Sequence, residues 1–226
     1  SKIDLIIVAG FPKILSKTII ESPKFGVLNL HAGPVPAFRG GSPLNWQIIN
    51  GNKKIGISFL KMNENIDEGN LYKTFYFKLN KNETITDAHL KANKLFSEKI
   101  NSIVDKISKG FLGKVQDSNK AVYMHQRSDT DSQINWNCNS FEIFNFVRAL
   151  VKPYNGAYTF FKNKKIRIYK VEESLYTFKG DPGRFFVLLN VGLVVICGKG
   201  SLIIKSYKLE GRGEKLKSGI FYRKYE

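Results

Sequence analysis

The chain has 226 residues, 42% hydrophobic and 24% charged, which fits an ordinary globular protein of one large domain or two small ones. No apolar run approaches the roughly 20 residues of a membrane helix, and the first residues lack the long apolar core of a signal peptide. The net charge of +17 is spread over both halves, so it permits an anionic partner, nucleic acid included, without marking a patch for one. Cys138 and Cys197 lie far apart without metal-ligand spacing and read as reduced thiols of a cytoplasmic protein.

In chain order, residues 4–9 read as a strand, followed by Gly10-Phe11-Pro12 and a helix over 13–21. With the short apolar strand 27–30 this makes a strand–helix–strand unit, which implies a parallel sheet. Gly33, Pro34, Pro36, Arg39, Gly40 and Gly41 then form a loop with several points of forced backbone geometry. A short helix over 42–50 takes Pro43 in its first turn and ends at Gly51. Strands over 54–62 and 71–79 flank the turn Ile66-Asp67-Glu68-Gly69. A long amphipathic helix over 86–109 carries Leu90, Leu95, Phe96, Ile100, Ile103 and Ile107 at helical spacing and stops at Gly110. Residues 111–139 are more polar and read as a linker between a first domain, 1–110, and a second, 140–226. The second opens with a helix over 140–150. Five strands follow, 157–162, 165–171, 184–190, 192–197 and 201–208, whose spacing suggests a small open barrel. The basic tail after Gly211 reads as mobile.

Chemistry concentrates between Gly26 and Gly69. Asn29 and His31, two residues apart on one strand, leave the backbone on the same face, and Asp67 sits in a turn downstream. An amide, an imidazole and a carboxylate brought together can stabilise an oxyanion and move protons.

The stretch NLHAGPVPAFRGG, NWQIINGNKKIGISFL and NIDEG resembles the folate-dependent formyltransferases, which include methionyl-tRNA formyltransferases and sugar N-formyltransferases. The features that carry the resemblance are Asn29, His31, Pro36, Arg39, Gly40, Trp46, Asp67 and Gly69. It implies an α/β fold: a Rossmann-like catalytic domain followed by a small OB-like β domain. Several strand–helix units that the family places before this point have no counterpart here, which suggests a fragment. It also implies an enzyme that moves a formyl group from N10-formyltetrahydrofolate to an amine, with Asn29, His31 and Asp67 catalytic and no metal required. The pterin is expected between Gly10 and Phe11 on one side and Met62, Asn65 and Ile66 on the other. Arg39 with Gly40 either contacts an acceptor phosphate or braces the loop. The motif HAGPVP and the run from Arg39 to Trp46 look closer to the sugar enzymes, so the expected acceptor is a nucleotide-linked amino sugar, with Met-tRNA the alternative. A truncated, non-catalytic binding remnant is the second alternative.

Overall fold

The computed structural model describes residues 3–210 and 216–222. The chain forms two compact units, one of residues 1–47, 52–82 and 87–126, the other of 48–51, 83–86 and 127–226. Among the described residues no helix is long and apolar enough to cross a membrane.

The chain from residue 6 to 124 runs β1 (Ile6–Ala9), α1 (Lys17–Glu21), β2 (Val27–His31), β3 (Arg39–Gly40), α2 (Pro43–Ile49), β4 (Lys54–Lys61), β5 (Leu71–Lys78), α3 (Ile85–Ser108) and β6 (Tyr123–Met124). The main sheet has the order β1-β2-β4-β5. β1 and β2 are parallel, as a strand–helix–strand unit requires, whereas β4 runs antiparallel to both β2 and β5. The connection over residues 62–70 is too short for a parallel crossover, so β4 and β5 pair as a hairpin and the sheet is mixed. β4 is buried from Ile55 to Leu60, and Phe59 meets Phe75 and Phe96 edge-on with ring centroids 5.8 and 5.3 Å apart.

Helix α1 is shorter than the sequence suggests. Ser16 is extended (φ −66°, ψ 153°) and sits at the N-cap, where its carbonyl accepts the N–H groups of Ile19 and Ile20. On α3 the buried side is formed by Ala88, Ala92, Phe96, Ile103 and Ile107. Leu90, expected on that face, is 65% exposed: two positions from both Ala88 and Ala92, it points to the opposite side of a 3.6-residue turn.

The second unit holds α4 (Ser140–Arg148) and strands β7 (Ala157–Phe161), β8 (Lys164–Glu173), β9 (Arg184–Leu188), β10 (Gly192–Ile196), β11 (Ser201–Leu209) and β12 (Ser218–Ile220). Helix α4 begins with a capping box: the Asn139 side chain accepts from Glu142 N–H, and the Glu142 carboxylate accepts from Asn139 N–H. All six strands are antiparallel in the order β12-β9-β10-β11-β8-β7. The sheet curls far enough for Phe160 on β7 and Tyr222 just beyond β12 to exchange two backbone hydrogen bonds of 3.2 and 3.1 Å. The expectation of a mobile tail is corrected for residues 216–222. Leu216 and Phe221 are buried, and Phe221 stacks on Phe185 at 4.2 Å. Residues 211–215 and 223–226 of that tail lie outside the described part.

Candidate active site

Strand β2 lies between β1 and β4, which fixes its register on both sides: Asn29 is opposite Val8 and Leu60, and His31 is opposite Ser58. The loop after β2 is tied back to β4. Gln47 on α2, fully buried, donates to the carbonyls of Ala32 and Gly56 and accepts from Gly56 N–H, while Val35 N–H donates to Ser58 Oγ. The Val35–Pro36 peptide is cis. Gly33 is required by space, because a Cβ there would lie 2.7 Å from the Phe38 carbonyl and 2.8 Å from His31 Nε2.

The three residues read as catalytic come together. Asn29 Nδ2 donates to Asp67 Oδ1 at 3.1 Å, and His31 Nδ1 lies 3.4 Å from Asp67 Oδ2. Asp67 Oδ2 also accepts the Gly40 N–H at 2.8 Å. His31 is 6% exposed, and its Nε2 is 2.6 Å from the Phe38 carbonyl. A carbonyl can only accept, so Nε2 carries a proton, and Nδ1 faces the carboxylate. Asp67 adopts φ 52°, the left-handed region that Asp tolerates better than most residues. Gly69 follows at a position where a Cβ would fall 1.7 Å from the Lys61 carbonyl. The turn can therefore close only with glycine there.

Arg39 and Gly40 both make bracing contacts. The Arg39 side chain is 1% exposed; Nε and Nη2 donate to Gln116 Oε1 at 3.1 Å each, and Nη1 donates to Glu68 at 3.2 Å and to the Tyr123 hydroxyl at 2.8 Å. The Gly40 N–H is used on Asp67. Both groups are thus engaged within the fold, as the bracing reading expects. Tyr123 donates to Glu68, and this bond, joined by Arg39 and Asn65, holds the Glu68 carboxyl below the ordinary glutamate range against the opposing push of burial.

Of the five residues expected around a pterin, Met62 and Asn65 line a cavity of about 600 Å³, whose other walls include Ile20, Pro23, Gly26 and Asn63. The Lys17–Glu64 ion pair, at 3.1 Å, also lines it. Gly10, Phe11 and Ile66 are exposed and are not part of that lining. Ile20 and Asn63 carried no signal in the sequence that marked them as cavity walls.

Residues 1–103 match the family described as formyl transferase, and residues 127–220 match the formyl transferase C-terminal domain. The methionyl-tRNA formyltransferase of Citrifermentans bemidjiense is 32% identical over 224 residues, 99% of this chain and 69% of that protein. The chain belongs to the formyltransferase family. Its members carry out folate-dependent one-carbon transfer. Among solved structures, methionyl-tRNA formyltransferase from Clostridium thermocellum shares the fold with a TM-score of 0.66 at 21% identity, over 86% of this chain and 78% of that one. An N-formyltransferase from Helicobacter canadensis, in complex with folinic acid and dTDP-3-aminofucose, does so with a TM-score of 0.63 at 20% identity, over 88% and 71%. This formyltransferase chain thus has the mixed α/β unit and the curled antiparallel unit expected of it. Two buried glutamines, Gln47 and Gln116, escaped sequence reading, because a Gln bonded to backbone carbonyls is indistinguishable in sequence from a Gln in water.

Proposed function

We propose that this protein transfers the formyl group of N10-formyltetrahydrofolate to the amine of Met-tRNA, with Asn29, His31 and Asp67 as its catalytic group. The observation that carries the chemistry is the convergence of Asn29 and His31 on the Asp67 carboxylate. Asp67 accepts the proton that the amine must lose as its nitrogen bonds to the formyl carbon. Asn29 spends one Nδ2 hydrogen on Asp67 and offers the other to the formyl oxygen as negative charge develops there. His31, held by Phe38 through Nε2, keeps its Nδ1 against Asp67 and shares the proton. That proton then goes to N10 as its bond to the formyl carbon breaks, so tetrahydrofolate and a formamide leave with atoms balanced. The 600 Å³ cavity, which Lys17, Lys24, Lys61, Glu21 and Glu64 line beside Ile20, Met62, Asn63 and Asn65, has a volume within the range of small-molecule sites, and we assign it to the pterin.

The acceptor preference read from the loop motif gives way to its alternative because the relatives near one-third identity that this chain covers to about two thirds of their length include methionyl-tRNA formyltransferases, whereas the bifunctional polymyxin resistance protein at 34% is covered over 31% of its length. The amino-sugar reading is kept as the second, favoured by the fold shared with an enzyme solved with dTDP-3-aminofucose. A cytoplasmic setting fits either acceptor. The test is a formyl-transfer assay with N10-formyltetrahydrofolate offering Met-tRNA beside nucleotide-linked amino sugars, with His31→Ala as control. Turnover of Met-tRNA that vanishes in the control supports the proposal. Turnover of a sugar alone replaces the acceptor, and equal turnover by His31→Ala removes the catalytic assignment.

A further inference from the structure

We infer that Gln116 is a positioning residue for the catalytic carboxylate, holding the Asp67 turn in its left-handed conformation; this rests on the formyl-transfer reading above. Among the described residues, Gln116 is the one buried residue between Ile107 and Ser132, in a stretch otherwise exposed or half-buried. Its amide is fully used. Nε2 donates to the Asp67 carbonyl at 2.8 Å and to the Gly69 carbonyl at 2.7 Å, while Oε1 accepts twice from Arg39 at 3.1 Å.

These four bonds bear on both ends of one contact. Asp67 Oδ2 is held by the N–H of Gly40, the residue after Arg39, so Gln116 grips the backbone of the carboxylate's owner and the side chain next to its donor. The left-handed backbone of Asp67 is unfavourable for a residue with a Cβ and persists only where its surroundings determine it. A donor on the Asp67 carbonyl is such a constraint, since rotating that peptide would swing the carboxylate away from Asn29 and His31.

The backbone around Gln116 is itself pinned. Lys114 and Leu71 exchange two hydrogen bonds of 2.8 and 2.9 Å, and Asn70 Nδ2 donates to the Leu112 carbonyl at 3.1 Å. Gly113 (φ 79°) permits this approach, because a Cβ there would lie 3.1 Å from that of Asn70. The register of this bridge delivers Gln116 beneath the Asp67 turn.

Two substitutions separate positioning from simple packing. Gln116→Glu keeps an acceptor for Arg39 but replaces the two donors by oxygen facing the Asp67 and Gly69 carbonyls. Gln116→Met keeps the length and removes every hydrogen bond, and it carries the test if the glutamate variant does not fold. Both are compared with the parent and with Asp67→Asn for kcat and KM, and for the imidazole ¹⁵N shifts of His31, one of three histidines and assignable by His31→Gln. The expected result is a loss of roughly 10- to 100-fold in kcat, KM for the formyl donor within about twofold, and His31 shifts moved toward those of Asp67→Asn. A folded variant with parent-like kcat and parent-like His31 shifts would overturn the inference. If the parent transfers no formyl group to any acceptor, or Asp67→Asn retains full activity, the functional reading fails instead, and the His31 shifts alone then decide whether Gln116 positions Asp67.

Discussion

The two units use their buried polar groups differently. In the first, the interior includes His31, Arg39, Asn45, Gln47, Ser58 and Gln116, and its geometry is set by directed hydrogen bonds. In the second, Ser132, Asn145, Arg148, Thr159 and Ser201 are buried as well, around one cluster of apolar side chains that runs from Ile134 and Trp136 through the strands to Phe221. Directed bonds fix where an atom points, at the cost of desolvating polar groups; apolar packing returns free energy with area but leaves direction to shape. A unit that must aim a carboxylate needs the first kind of interior. The difference predicts that substitutions in the second unit act on stability, whereas those around Asp67 act on turnover beyond their effect on stability.

The largest stability effect is expected at Phe221, which is 2% exposed and stacked on Phe185 and Trp136 with interplanar angles of 21° and 20°. Phe221→Ala should cost about 3–5 kcal/mol, read as a lowered urea midpoint from Trp136 fluorescence. A loss below 1 kcal/mol would mean that the aromatic stack can collapse around the gap. A smaller loss, about 1–3 kcal/mol, is expected for Gly33→Ala, whose Cβ would also press on Pro43 Cβ at 2.9 Å. Because the neighbour displaced is His31, turnover should fall by more than the stability change accounts for. Parent-like kcat with a lowered melting temperature would show that the His31 loop yields without moving the ring.

Sequence legibility divides along the same line. The strands β7 to β11 were readable because Gly and Asn punctuate alternating apolar runs, and α3 was readable from its spacing, apart from Leu90. β12 was not, since a three-residue strand has no period and is held by Phe221 and by pairing with β9. In the site, Asn29, His31 and Asp67 were legible through a motif, and the structure brings them together. The partners through which Arg39 braces the loop and the place of Gln116 were not. Both rest on contacts that span 29 to 84 residues of sequence, which no local pattern encodes.

The second unit also has directed polar contacts, and its bidentate ion pair tests how far the contrast goes. Arg167 donates from Nη1 and Nη2 to the two oxygens of Asp129 at 2.6 and 2.7 Å, and from Nε to Glu210 at 3.2 Å. The bonds from Arg167 hold the Asp129 carboxyl below the ordinary aspartate range against partial desolvation, with help from Asn155 and Lys165. Asp129 is 38% exposed, so water screens the pair and its worth is put at about 1 kcal/mol. A carboxyl whose folded value is depressed stabilises the fold above its unfolded value and stops doing so as pH falls through the folded one. The gap in unfolding midpoint between the parent and Asp129→Asn should therefore be full at pH 7 and at pH 5, and close progressively below about pH 4. A gap that stays constant down to pH 2 would assign the effect to shape rather than charge, and this contact would then act as packing does.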